Sequence, residues 1–216
     1  MTETAGAGHG GGADDTVFAV ASAGLRAGIE SESESRGGYF LFEDEPAPRK
    51  LAPFAAAVAA TVVRDGTEVA WGRLIVLYDP RGHEGWTGNF RVIAYVRADV
   101  EPEIAADPLL GEVGWSWLTD GLEAHSPGYG APSGTITRVV TEGFGAKGDD
   151  ESVTEFELRA SWSPHDEAVL DAGLAGDLAA WCDVLAAAAG LPPQPPGTRA
   201  ISMRPMRGGP AAGRHQ

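Results

Sequence analysis

The residues best suited to chemistry fall in three short segments. In DPRGHEGWTGNF, Asp79 to Phe90, two carboxylates (Asp79 and Glu84), an imidazole (His83) and an indole (Trp86) share one loop. Such a group can bind a metabolite or a metal, or exchange a proton, and loops held by a rigid sheet often carry function. The same letters also make a plain connection between strands, with Asp79-Pro80 and the glycines shaping the turn and Trp86 folded over the sheet edge. In VRADVEPEIAADP, Val96 to Pro108, the carboxylates Asp99, Glu101, Glu103 and Asp107 lie close together. Paired carboxylates bind hard cations or divide into acid and base. Their spacing matches no calcium loop, and acids in a first helical turn are what the helix dipole favours. In PSGTITR, Pro132 to Arg138, small residues can offer backbone N–H groups to an anion with Arg138 beside them. Ser133-Gly134 equally well begins a strand.

Known catalytic patterns are missing from the sequence. There is no G-x-S-x-G, no H-E-x-x-H, no Walker-type phosphate loop and no strand-G-x-G-x-x-G-helix unit. Cys182 is the single cysteine and sits on an apolar helical stripe, where it reads as a small core residue. The tryptophans 71, 86, 115, 117, 162 and 181 fall mostly on core-facing positions and read as packing. No catalytic residue, metal site or cofactor is expected on these grounds.

The elements that must position these segments follow from the periodicity. Residues 1–13 are Gly-rich and expected to be a disordered head. An acidic cap at Asp14 or Asp15 precedes Val17, Val20, Ala21 and Leu25, a helical stripe ending by Gly28. Glu30 to Lys50 reads as an acidic linker around Tyr39 to Phe42, a short patch that either docks as an edge strand or stays loose. Three strands follow, Phe54 to Arg64, Ala70 to Tyr78 and Asn89 to Arg97, forming an antiparallel meander. Both parities of the second are apolar, which places it centrally with both faces covered.

Asp107-Pro108 starts a helix through Leu110, Val113, Trp117 and Leu118. A hairpin pairs Gly134 to Gly143 with Ser152 to Ser163, in which Phe156, Leu158, Ala160 and Trp162 point inward. A last helix carries Leu174, Leu178, Trp181, Cys182, Leu185 and Ala189 and stops at Gly190 and Pro192-Pro193. The sum is an α+β domain over residues 14–196: one antiparallel sheet of about five strands, a three-strand meander plus a hairpin, packed with about three helices. Residues 197–216 read as a disordered, arginine-containing tail.

Several of these segments together resemble a known family. LAPFA (51–55), GRLIVLYDPRGHEGWTGNFR (72–91), VRADVEPEIAADPLL (96–110), WSWL (115–118), YGAPSGTITR (129–138), LRASWSP (158–164) and AWCDVLAAAAGLPP (180–193) occur in the order found in the domain of unknown function 3000 family. The resemblance runs from about Leu51 to Pro193. It implies a cytoplasmic protein of actinobacterial type, and brings no activity, ligand or catalytic residue with it. The long acidic linker Glu30 to Lys50 departs from the pattern.

Charge narrows the partners. The formal net charge is −15 over 216 residues, and Arg199, Arg204, Arg207 and Arg214 all lie in a tail without acids, so the domain itself is more acidic still. Such a field repels phosphate backbones, so nucleic acid is not expected as a partner of the domain. No segment approaches the roughly 18 apolar residues of a membrane span, and no signal peptide is visible. The lone cysteine fits a reducing cytoplasm. The leading expectation is a non-catalytic binding or adaptor protein whose acidic surface meets a basic or mixed protein partner. The alternative is an enzyme or a metabolite- or metal-binding protein using residues 79–88. That loop and the acids at 99–107 flank one strand, so they stand roughly 26 Å apart. Edge pairing leaves a homodimer open.

Overall fold

Alternation of apolar residues builds a six-stranded sheet. The computed structural model describes residues 11–126, 128–147 and 152–192. Its strands are β1 (Phe40–Asp44), β2 (Phe54–Arg64), β3 (Thr67–Tyr78), β4 (Phe90–Asp99), β5 (Tyr129–Thr141) and β6 (Val153–Pro164), in the order β1-β2-β3-β4-β6-β5. Every pairing is antiparallel. The β2–β3 turn is Asp65-Gly66, with φ of 52° and 80°, the left-handed pair that a two-residue hairpin requires.

Five helices accompany the sheet: α1 (Gly11–Ser35), α2 (Pro102–Ala106), α3 (Leu110–His125), α4 (Asp166–Ala172) and α5 (Ala175–Ala188). They lie on one face. On β4 the residues beneath them, Phe90, Val92, Ala94 and Val96, are buried, as are Phe156, Leu158, Ala160 and Trp162 of β6. The alternate residues form an open face on which Trp71 packs against Tyr95 at 5.7 Å, with Arg159 over the Tyr95 ring at 5.3 Å.

The α+β class and the antiparallel sheet follow the sequence reading, with several differences. First, Glu30–Lys50 is not a linker throughout: Glu30 to Ser35 complete α1, and Phe40–Asp44 is β1, the sixth strand. The cause is Arg36, which pairs with Glu32 and Asp183 and lies over the Phe40 ring at 4.9 Å, anchoring a segment that composition alone makes look soluble. The helix also starts before Asp14, and Val20 faces outward while Ala21 and Leu25 are buried. Second, β3 is central but has helices on one side only; Trp71, Arg73 and Ile75 are half-buried by neighbours within the open face. Third, the last helix is two helices, broken at Gly173 (φ 70°). Asp107-Pro108 does not itself start the long helix: Asp107 closes the separate short α2, its carboxylate accepts the Leu109 amide at 2.8 Å, and α3 begins at Leu110. The expectations for residues 1–10 and 193–216 lie outside the described residues.

At the centre of the helix layer is α5. Leu178, Trp181, Cys182, Val184 and Leu185 all have zero exposure, so the helix is apolar around most of its circumference. The sheet lies under it, where the Trp181 indole donates to the Tyr95 carbonyl at 3.2 Å over the bare Gly72. Helices α1 and α3 flank it.

Candidate functional site

Helix α3 reaches α5 closely because its facing residues are small. A Cβ at Gly121 would stand 3.2 Å from the Ala180 backbone, and one at Gly176 would overlap the His125 carbonyl. Beside this seam the helices diverge into a cleft of about 380 Å³, lined by Arg36, Trp117, Asp120, Ala124, Asp183 and Leu191, among others. A second hollow of about 210 Å³ continues it past Trp117 and Ala187 to Ile104, Asp107 and Val113. Ile104 and Val113 are 49% and 41% exposed, so the apolar lining extends onto the surface. A third, of about 70 Å³, lies between Arg36, Tyr39, Phe40, Leu191 and Pro192. The volume of the first is within the usual range for a ligand pocket.

One wall of the cleft is an ionic network. The Arg36 guanidinium is 7% exposed; its Nε pairs with Glu32 and one terminal nitrogen donates to Asp183 at 2.6 Å. Burial works against its charge, but the Cys182, Glu32 and Asp183 groups around it more than offset this and its pKa is raised. The other Asp183 oxygen lies 2.8 Å from Nε2 of His125. Arg36 stands at the C-terminal end of α1, where a cation also meets the helix dipole favourably.

Beneath the seam, Asp177 is a buried carboxylate in the first turn of α5. It accepts the Trp162 indole N–H at 2.6 Å and the Ser126 hydroxyl at 3.1 Å. Burial nevertheless pushes its pKa up to about 6. Cys182 lies wholly within the core, and burial pushes its thiol well up. The one hydroxyl next to His125 in sequence is thus committed to Asp177, and the thiol is sealed away from His125 and the solvent.

The residues singled out in the sequence occupy other places. In the 79–88 loop, Asp79 is buried and accepts the Arg81 amide at 3.0 Å, shaping the turn. His83 is exposed, stacks on Trp86 with centroids 4.9 Å apart, and Nδ1 lies 2.8 Å from the Glu84 carbonyl. The base of the loop is fastened by the Asn89 amide, which donates to Asp166 at 2.9 Å. At the opposite end of β4, Asp99, Glu101, Glu103 and Asp107 are exposed. The two groups are therefore not brought together. Arg138 does meet the second group: it donates to the carbonyls of Ala105 and Asp107, both at 3.1 Å, tying β5 to α2. Ser133 in turn lies 3.3 Å from Arg91 and 3.4 Å from Ser161. Of the named residues, Asp107 alone also lines the cleft system.

Sequence reasoning missed Glu32, Arg36, Trp117, Asp120, His125 and Asp183. One trace was visible: Arg36 is the lone cation closing the acidic run ESESESR. The open ends of α3 and α5 and their meeting point are tertiary facts.

Among the described residues no helix is long and apolar enough to cross a membrane, and no group of three His, Cys, Asp or Glu side chains is arranged to hold a metal ion. Neither a curated protein nor a solved structure matches the chain. A family model does match, over residues 26–198, from within α1 through every strand to α5 and beyond. The chain therefore belongs to the family described as protein of unknown function (DUF3000).

Proposed function

We propose that this chain is a non-catalytic binding protein that receives an apolar, arginine-bearing segment of a protein partner in the cleft between α3 and α5. The observation that carries the reading is the chemistry of that cleft: Trp117, Ala187 and Leu191 give it an apolar lining, the exposed Asp120 stands at its rim, and the buried Arg36 on its wall is already paired with Glu32 and Asp183. Neither α3 nor α5 contains a lysine or arginine. Apolar pockets rimmed by charge bind amphipathic segments, with anchors supplying affinity and charges supplying register and encounter rate. The ionisable groups of the wall are spent on one another, which favours recognition over proton transfer. A cytoplasmic setting accords with the single buried cysteine.

A random-peptide display library selected against the full chain tests this. Enriched peptides should combine Met, Leu or Ile with arginine and bind with Kd of about 1–100 μM, weakening as salt rises. Ala124→Arg, at an exposed position of the cleft mouth, should lower their affinity by about tenfold or more. Selection of no such peptides, or equal binding to the Ala124→Arg protein, overturns the proposal.

A further inference from the structure

The chain carries a candidate occupant of its own. After Leu191 and Pro192, which line the cleft system at one end, the sequence continues as PQPPGTRAISMRPMRGGPAAGRHQ, residues 193–216. This stretch has Arg199, Arg204, Arg207 and Arg214 and no acid. Its middle interleaves Ile201, Met203 and Met206 with those arginines, the composition that the rim and floor call for. Methionine, unbranched and polarisable, fills irregular apolar hollows.

Reach and concentration both permit docking. The cleft begins where the described chain leaves α5, and Met203 follows Pro192 by eleven residues, a tether of up to roughly 36 Å when extended. A short tether holds its end near the site at an effective concentration of about millimolar. Even a weak contact is then well populated. In sequence, the four arginines of residues 193–216, with no acid among them, follow α5, and neither α3 nor α5 bears a lysine or arginine; Arg36, on the cleft wall, is already paired with Glu32 and Asp183.

We infer that the segment Arg199 to Arg207 docks within the same molecule into the α3/α5 cleft, so that a partner's segment must displace it. This rests on the cleft being a site for apolar, basic segments, as proposed above. Occupation by the chain's own residues is an autoinhibitory contact: it lowers apparent affinity for a partner and sets a threshold that salt, or competition by a stronger segment, relieves.

A photo-cross-linking residue placed at Met203 of the full chain tests it. Expected are products of monomer mass, at a yield independent of protein concentration, joined to peptides covering residues 117–124 or 183–191. Arg199→Ala, Arg204→Ala and Arg207→Ala together should lower that yield several-fold and strengthen binding of a library-selected peptide by about tenfold. Products joined to other elements, products of dimer mass, or the absence of any product overturn the inference. If library peptides still occupy the cleft in that case, the proposed function stands without it; if they do not, both fall.

Discussion

Asp177 is the residue whose environment makes the sharpest demand. Its carboxyl is buried and holds its proton more firmly in the folded chain, with a pKa of about 6 against an ordinary 3.8. A group with a raised folded pKa contributes stability that is complete below about pH 4 and lost as the pH rises through about 6. The shift corresponds to about 3 kcal/mol. Asparagine keeps an oxygen for the Trp162 and Ser126 donors and carries no charge to bury. Urea unfolding of wild type and Asp177→Asn should therefore give similar stabilities near pH 4 and a variant more stable by about 1–3 kcal/mol at pH 7.5. A constant difference across that range would refute the assignment. Cys182 makes a simpler demand: a thiol with zero exposure and a raised pKa should resist a colourless disulfide reagent at pH 8 in the native chain and react at once in denaturant. Its burial was legible from the apolar helical stripe that carries it. That of Asp177 was not, because its partners Trp162 and Ser126 are distant in sequence.

At the scale of elements, packing between α3 and α5 depends on glycines with no side chain to spare. Gly176→Ala places a methyl group on the His125 carbonyl, which must push the helices apart. Overpacking of this kind costs about 1–3 kcal/mol or more. The urea midpoint should fall accordingly with little change in slope, and the cleft should widen rather than close. The helices and strands themselves were largely readable. Phe156, Leu158, Ala160 and Trp162 alternate cleanly, and Asp65-Gly66 marks its hairpin without help from tertiary contacts. Where the reading failed, a distant partner decided the outcome. The run ESESES looks like linker by composition, but Arg36 anchors its end across to Asp183. The split between α4 and α5 follows from Gly173, which lies against Gly24 of α1 where a Cβ would meet backbone at 2.6 Å. The cleft was illegible for the same reason: it is a gap between surfaces, and neither helix announces where the other stops covering it.

For the whole molecule, one asymmetry organises the account. The helices sit on a single face of the sheet, and on that side α5 and its neighbour α3 offer carboxylates and apolar surface with no lysine or arginine of their own. Several arginines are instead on the open sheet face, where Arg73 and Arg97 lie 3.6 Å and 3.5 Å from Glu45 and Glu155. A basic, apolar segment is thereby steered toward the helix side. Hydrogen–deuterium exchange of the full chain, with and without a peptide selected from the display library, tests this most directly. Added peptide should slow exchange over residues 117–124 and 183–191 and leave the strands unchanged, an effect that fades as salt is raised. Protection instead along the β5 edge or across the open sheet face, with α3 and α5 unchanged, would contradict it.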